Sequence, residues 1–244
     1  MHNIRVLVAV VLSALVSDSV LATRSQDFLP VSGLGDEVLE STADIEVIRT
    51  DEWIGFEPSR VDHPSIVWLA GRNVPAEAYA ATARELAALG YPVTILQLPN
   101  GVLRSVDDIA VLGTSVEEII DDGRPFVLLG HSMGGAAATL LANQLGQMPD
   151  ALILVATSFP RDDSLTDFGG PILKISAVAD RVVEIDAVRE GYRFLPDTTA
   201  IIEMNDAQHH YFGHYGRDFE DASLSRSQQQ SEFLSILVSF LEDI

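Results

Sequence analysis

The serine at position 132 stands in a Gly-x-Ser-x-Gly motif, Gly130-His131-Ser132-Met133-Gly134, which is typical of serine nucleophiles. An apolar run, residues 125–129, precedes it, and a run of small and apolar residues, 136–141, follows it. The sequence therefore predicts a strand, a tight turn and a helix. A serine at such a turn has a strained backbone, for which the flanking glycines leave space. The turn would expose the Ser132 hydroxyl and aim the N–H of Met133, at the helix N-terminus, towards an oxyanion.

A serine hydroxyl is a weak nucleophile, so we looked for a histidine base and for a carboxylate that orients it. In a doubly wound parallel sheet, functional groups collect at the carboxyl ends of the strands. Asp180 directly follows a predicted strand, residues 172–178, and His209 follows one that ends near Met204. The order Ser, Asp, His is the one expected for a nucleophile at a strand-to-helix turn. These residues are therefore the candidates for acid and base.

Other residues could take the same two roles. The histidines that compete with His209 are His131, His210 and His214. The carboxylates that compete with Asp180 are Asp162, Asp163, Asp186 and Asp206. We expect His131 to shape the pocket, the pair Asp162-Asp163 to lie in a solvated loop, and Asp206 to be a turn residue or a substitute acid.

The composition limits the classes of function. The 244 residues are 47% hydrophobic and 21% charged, which is typical of one large globular domain. There are 36 acidic and 15 basic residues, a net charge of −21, and Lys174 is the one lysine. Such a charge repels phosphate backbones and anionic membrane surfaces, so we expect no nucleic-acid partner. The chain has no cysteine, which excludes thiol catalysis, disulfides and thiolate metal sites.

The N-terminal residues are typical of a targeting signal. Arg5 is followed by an apolar run, residues 6–16, and Val20-Leu21-Ala22 resembles a signal-peptide cleavage site. This run is too short to span a bilayer, which takes about 20 residues. We therefore predict a signal peptide over residues 1–22 and export, secreted or periplasmic, with an uncleaved N-terminal anchor as the alternative and no stable membrane span after cleavage. We expect residues 23–43 to be a poorly ordered lead-in and residues 44–244 to be the folded domain.

From residue 44 onwards, apolar strand-like runs alternate with helical patterns. This alternation predicts an α/β fold with a doubly wound, mostly parallel sheet, helices on both faces and an antiparallel pair at one edge. The predicted strands are residues 45–49, 53–56, 66–70, 93–98, 126–129, 152–156, 172–178 and 200–204. The predicted helices are residues 76–89, 106–120, 135–145, 185–194 and a last helix that begins after Ser225 with a capping box to Gln228. Residues 157–171 are too few for a lid of several helices, so the sequence predicts an open site without a large cap domain.

The chain resembles the alpha/beta-hydrolases, and among them the small cap-less hydrolases of the dienelactone-hydrolase type. The resemblance covers about residues 44–244. Three blocks carry it: the motif around Ser132; Leu69-Ala70-Gly71-Arg72-Asn73-Val74 with Ala78-Tyr79-Ala80 and Leu89-Gly90-Tyr91-Pro92-Val93; and His209-x-x-Phe212-Gly213-x-Tyr215-Gly216 with Ser225-Arg226 and Gln229.

This resemblance implies a role for each residue at the site. Ser132 would be the nucleophile, His209 the base, selected by its spacing to Phe212-Gly213, and Asp180 the acid that orients it. The oxyanion would be held by the backbone N–H groups of Met133 and of Arg72 or a neighbour of Arg72. The family usually has a second glycine where Arg72 stands, so its guanidinium could reach the mouth of the pocket.

These expectations describe acyl transfer to water without a cofactor. The one candidate metal cluster, His209-His210-x-x-x-His214 with Asp206, is explained better by the histidine block, so no metal is expected. The function that fits is a serine hydrolase acting on a carboxylic ester of a small or medium acyl substrate, with water as the second reactant. A thioesterase, an amidase or an acyltransferase would use the same residues, and a non-catalytic binding protein on this fold is the alternative from another class. The sequence predicts no oligomeric state.

Overall fold

The structure is a computed structural model that describes residues 28–120 and 123–244. The described residues form one eight-stranded sheet with the strand order β1-β2-β4-β3-β5-β6-β7-β8. Its strands are β1 Ile45–Arg49, β2 Trp53–Pro58, β3 Ser65–Leu69, β4 Val93–Leu96, β5 Phe126–His131, β6 Ala151–Val155, β7 Ile172–Ala177 and β8 Ala200–Met204. The pairs of β2 with β1 and β4 are antiparallel and the others are parallel. The predicted mostly parallel sheet with an antiparallel edge is therefore confirmed.

Five α-helices lie among the described residues: α1 Ala80–Ala88, α2 Val106–Ile119, α3 Met133–Leu141, α4 Ile185–Gly191 and α5 Arg226–Leu241. Short 3₁₀ turns cover Asp36–Leu39, Ala76–Tyr79, Pro99–Gly101, Tyr192–Phe194 and His209–Phe212. Two of these turns explain where the helix predictions ran too long. The predicted helix 76–89 starts as the 3₁₀ turn before α1, and the predicted helix 185–194 finishes as the 3₁₀ turn after α4.

Helices cover both faces of the sheet, because successive residues of each central strand point to opposite sides. Val127 and Leu129 belong to one buried cluster with α1 and α5, whereas Phe126 and Leu128 belong to another with α2 and α3. Strands that are buried on both sides read as continuous apolar runs, which explains why β5 and β6 were visible in the sequence.

The predicted start of the last helix is also confirmed. The Ser225 hydroxyl accepts a hydrogen bond from the Gln228 N–H, and the Gln228 side chain accepts one from the Ser225 N–H. Phe233, Leu237 and Leu241 form the buried face of α5. This helix packs on the face of the sheet shared with α1, and its first turn contacts the loop that carries His209.

The segment between β6 and β7, residues 156–171, contains no helix. The cap-less architecture predicted from its length is therefore confirmed. Without a cap, the carboxyl ends of the parallel strands face a cavity that is open to solvent.

Residues 28–43, which belong to the predicted lead-in, contact the loops after β3 and β8. The Leu29 N–H donates to the Asn73 carbonyl at 2.7 Å, the Ser32 N–H donates to the His214 carbonyl at 2.9 Å, and Val31 forms a β-bridge with Tyr215. The polar composition hid these contacts because they are made by the backbone. The rest of the predicted lead-in, residues 23–27, and the predicted signal peptide, residues 1–22, lie outside the described residues. In the described part, no helix has the length and apolar character needed to cross a membrane.

Candidate active site

Ser132 occupies the tight turn between β5 and α3, as the motif predicts. Its φ of 55° and ψ of −119° are a strained combination for a residue with a side chain. The chain passes so close to itself here that a Cβ on Gly134 would collide with the Leu69 carbonyl, and one on Gly130 with the Gly134 carbonyl. The two glycines therefore allow the turn that lifts Ser132 above the end of β5.

This crowding makes Gly134 sensitive to a single methyl group. We expect Gly134→Ala to lower the free energy of unfolding by about 1–3 kcal/mol or more, because backbone atoms of Leu69 would have to move. Gly169→Ala is the matched control, since a Cβ there meets no atom within 4 Å. Urea unfolding of both variants measures the difference. Equal stability of the two would show that the turn does not need a glycine.

The structure brings the three predicted side chains together in one hydrogen-bonded chain. His209 Nε2 lies 3.0 Å from Ser132 Oγ, and His209 Nδ1 lies 2.7 Å from Asp180 Oδ2. The side chains of His209 and Asp180 are only 6% and 2% exposed. The Asp180 carboxylate accepts a hydrogen bond from the Nδ1–H group of His209, which leaves Nε2 free to accept the hydroxyl proton of Ser132. The arrangement can therefore move a proton from the serine to the histidine.

Asp180 follows β7 directly and is held by the loop that it begins. Its Oδ1 accepts hydrogen bonds from the N–H groups of Val182 and Val183 at 2.7 and 2.9 Å, which leaves Oδ2 for His209. None of the competing carboxylates hydrogen-bonds to His209 within the described ranges. They are Asp162, Asp186 and Asp206, which are exposed, and Asp163, which is half-buried.

His209 is positioned by the start of α5. The Gln229 side chain is fully buried, accepts from the Gln208 N–H at 2.8 Å and donates to the Gln208 carbonyl at 2.9 Å. It thus fixes both backbone groups of the residue that precedes His209. Arg226, in the same helix, donates to the His210 carbonyl at 2.7 Å.

The competing histidines have other partners. His214 Nδ1 donates to the Ser32 carbonyl at 3.3 Å, so this ring holds the N-terminal segment. The His210 ring packs edge-on against His209 and lines the cavity, and burial is the main cause that lowers its pKa. Neither ring hydrogen-bonds to Ser132.

His131 belongs to a buried chain of hydrogen bonds that sequence analysis missed. Its Nδ1 lies 2.9 Å from the Tyr79 hydroxyl, which itself accepts the Gly71 N–H at 3.0 Å. Burial lowers the pKa of His131 well below its usual value, so the ring is neutral and its Nδ1 accepts the Tyr79 proton. We expected His131 to shape the pocket. The hydrogen bonds from His131 through Tyr79 to Gly71 connect the turn at Ser132 to the loop after β3.

That loop leaves one backbone donor without a partner. The N–H of Gly71 is taken by Tyr79, and the N–H of Asn73 donates to the Gly101 carbonyl at 2.6 Å. In the part of the chain that the structure describes, no hydrogen bond uses the N–H of Arg72 or that of Met133. The Met133 N–H is the first of α3 and has no partner within the helix. Both residues line the cavity beside Ser132.

The cavity over Ser132 has a volume of about 480 Å³. Its lining includes Leu29 from the N-terminal segment, residues 157–159 and Arg161 from the loop after β6, and residues 182–184 from the loop after β7. Leu29 was not found from the sequence, because only its contact with Asn73 brings it to the site.

A fully buried lysine, Lys174 in β7, lies behind the loop after β6. Its Nζ donates to the carbonyls of Thr157 and Phe159, and no carboxylate among the described residues pairs with it. Burial lowers the pKa of Lys174 from its usual 10.5 to about 7. Sequence analysis noted this residue as the one lysine but assigned it no role; the signal was a charged residue in the middle of an apolar strand.

The lowered pKa predicts a pH dependence of stability. Between about pH 7 and pH 10 the unfolded chain keeps the Lys174 proton and the folded protein has lost it, so the free energy of unfolding should rise with pH. The slope for one proton is about 1.4 kcal/mol per pH unit. Urea unfolding of the wild type and Lys174→Met at pH 7, 8 and 9 isolates this term, because the other groups are common to both proteins. A difference that stays constant with pH would mean that Lys174 keeps its usual pKa.

No group of three or more histidine, aspartate or glutamate side chains in residues 28–120 and 123–244 could hold a metal ion. In the cluster considered from the sequence, both ring nitrogens of His209 already contact Asp180 and Ser132.

Comparison with known proteins shows the family to which the chain belongs. The family described as "Alpha/beta hydrolase family" matches residues 65–232. A curated relative, the "Probable hydrolase R7" of Phoma sp., is 32% identical over 91 residues. This match spans 34% of the chain and 37% of that relative. The chain therefore aligns with little more than a third of the relative's length.

Solved structures support the same fold. MGS-MChE2, an alpha/beta hydrolase from a metagenome of lagoon sediments of Mar Chica, Morocco, aligns with a TM-score of 0.60 at 15% identity over 81% of this chain and 98% of its own. The esterase Pf2001 of Pyrococcus furiosus has a TM-score of 0.60 at 16% identity over 88% and 98%. A putative dienelactone hydrolase from Klebsiella pneumoniae has a TM-score of 0.52 at 17% identity over 75% and 92%. At such identities the likeness concerns the fold alone.

Proposed function

The chain belongs to the alpha/beta hydrolase family, and we propose that it is a serine hydrolase that cleaves a carboxylic ester of a small or medium substrate through an acyl-enzyme. The observation that carries the proposal is the hydrogen-bonded chain from Asp180 through His209 to Ser132, which opens on the cavity.

In the first half-reaction, Ser132 Oγ attacks the acyl carbonyl carbon while His209 Nε2 takes the hydroxyl proton. A C–O bond to the serine forms, and the carbonyl electron pair becomes an oxyanion. Asp180 stabilises the charged imidazole. His209 then gives its proton to the leaving alkoxide as the ester bond breaks, which releases the alcohol and leaves the acyl group on Ser132.

In the second half-reaction, water takes the place of the alcohol. His209 accepts a proton from the water, whose oxygen attacks the acyl carbon, and a second oxyanion forms. When this intermediate collapses, His209 returns the proton to Ser132 Oγ and the carboxylic acid leaves. The open cavity supports this step, because no cap formed by the described residues lies between Ser132 and solvent.

Two backbone N–H groups would stabilise each oxyanion. Met133 supplies the one at the start of α3, and the arrangement of the loop after β3 favours Arg72 over its neighbours, because the N–H groups of Gly71 and Asn73 are engaged. Removing one such donor in other enzymes lowers kcat by about 100- to 1000-fold.

The size of the cavity supports a small or medium substrate. A volume of about 480 Å³ lies in the lower half of the range of pockets for drug-sized ligands, roughly 300–1000 Å³. Leu29 and Phe159 provide an apolar wall that suits an acyl chain, although polar residues also line the cavity.

The proposal is tested by reaction with a fluorophosphonate probe, followed by turnover of 4-nitrophenyl esters of increasing acyl length. We expect labelling of the folded protein and hydrolysis of the shorter esters. Matched thioesters, anilides and esters with an added alcohol acceptor distinguish a thioesterase, an amidase and an acyltransferase. A folded protein that neither reacts with the probe nor turns over any of these substrates would be a binding protein, and the proposal would be wrong.

A further inference from the structure

The loop after β6 supplies one wall of the cavity. Ser158, Phe159 and Arg161 line it, and the Arg161 guanidinium donates from Nε and Nη2 to the Ser158 hydroxyl at 3.1 and 2.7 Å. Phe159 is 1% exposed and packs with Ala136 of α3, the helix that begins after Ser132. The position of this loop therefore sets the shape of the space beside the nucleophile.

The loop lies against two elements, β7 and α4. Lys174 Nζ donates to the Thr157 carbonyl at 2.5 Å and to the Phe159 carbonyl at 2.6 Å. The carbonyl oxygens of Ser158 and Pro160 lie close to Gly191 at the end of α4, where an added Cβ would come within 3.2 and 2.5 Å of them. The loop thus lies against α4 as well as β7, and Lys174 is the side chain that hydrogen-bonds to the carbonyls of Thr157 and Phe159.

A lysine is energetically unfavourable at this position. Its side chain is fully buried, and a buried ammonium without a carboxylate is less favourable than an apolar side chain of similar size. The lysine side chain is long enough to reach the neighbouring loop, and its Nζ has several N–H bonds, so it can donate to two carbonyls there. Methionine would fill the same volume but leave both carbonyls without a donor.

We propose that Lys174 is a positioning residue for the substrate: by holding the carbonyls of Thr157 and Phe159 it fixes the wall against which the larger part of the acyl group packs. The inference rests on the proposed function. Lys174 contacts neither Ser132 nor His209, so its effect falls on binding of large acyl groups and leaves the chemistry at Ser132 intact.

The test compares Lys174→Met and Lys174→Gln with the wild type and with Ser176→Ala as a matched control. Ser176 lies two residues further along β7, is equally buried and contacts Tyr192 instead of the loop. Steady-state kinetics are measured with 4-nitrophenyl acetate and with the longest 4-nitrophenyl acyl ester that the wild type hydrolyses. In the methionine variant we expect KM for the long ester to rise roughly tenfold or more, with kcat for the acetate within about threefold of the wild type. The glutamine variant keeps a donor for one carbonyl. Its KM for the long ester should lie between those of the wild type and the methionine variant.

Several results would overturn the inference. One is an equal change of kcat and KM for both esters, which would mean a general effect on stability. Others are an unchanged KM for the long ester, the same shift in Ser176→Ala, or failure of both Lys174 variants to fold while Ser176→Ala folds. Failure of the proposed function would instead be visible in the wild type, which would then neither react with the fluorophosphonate nor hydrolyse the acetate.

Discussion

Ser132→Ala is expected to lower kcat for a 4-nitrophenyl ester by about 10⁴- to 10⁶-fold and to abolish fluorophosphonate labelling. Loss of the nucleophile in characterised serine hydrolases has an effect of this size, because the oxyanion donors that remain give only a small part of the rate enhancement. Alanine has a Cβ, as serine does, so its backbone can adopt the same conformation at the turn. The fold should persist, and the loss can be assigned to the missing hydroxyl that lies 3.0 Å from His209 Nε2.

Ser164→Ala is a suitable control for this experiment, since Ser164 is exposed and its hydroxyl contacts only Thr166. It should label and turn over as the wild type does. Labelling that persists in Ser132→Ala, mapped by mass spectrometry to another residue, would show that a different nucleophile reacts.

Asp180→Asn is expected to lower kcat by about 10⁴-fold, with a much smaller change in KM. The reason lies in the hydrogen bonds of both oxygens. The N–H groups of Val182 and Val183 require an acceptor, so the amide oxygen would stay where Oδ1 is and the NH₂ group would face His209. His209 Nδ1 would then have to accept a hydrogen bond, and the proton would move to Nε2. In that tautomer the ring cannot accept the proton of Ser132.

Asp206→Asn serves as the control, because Asp206 was the substitute acid considered from the sequence and is exposed. It should retain nearly full activity. A large loss in Asp206→Asn together with a small loss in Asp180→Asn would reverse the assignment of the acid. Circular dichroism of both variants excludes unfolding as the cause.

Sequence reasoning could predict the features for which local pattern and topology are enough. Ser132 was predicted as a site residue from its neighbours in the chain, and Asp180 and His209 from their places after strands. The parallel sheet then brings the ends of β5, β7 and β8 to the same edge, although the chain between Ser132 and His209 is long. Alternating strand and helix patterns predict a parallel sheet whose strands end at one edge, so this convergence could be predicted.

What escaped prediction depends on contacts between segments that no local pattern links. Leu29 reaches the cavity because its N–H meets the Asn73 carbonyl and because Ser32 meets His214. The Tyr79 hydroxyl could not be paired with His131 before the 3₁₀ turn of Tyr79 was known to lie beside the end of β5. The hydrogen bonds of Lys174 could not be predicted without the path of the loop after β6. Their acceptors are backbone carbonyls, which the types of the side chains do not reveal.

The burial of the one lysine also affects how the protein can be handled. Amine-reactive dyes and aldehyde cross-linkers need an accessible primary amine, and the only lysine amine of this chain is fully enclosed in the folded protein. Covalent coupling through lysine should therefore proceed only as molecules unfold. Incorporation of such a dye at Lys174 would report the unfolded fraction directly, whereas immobilisation of the native protein would have to use its abundant carboxylates or its terminal amine.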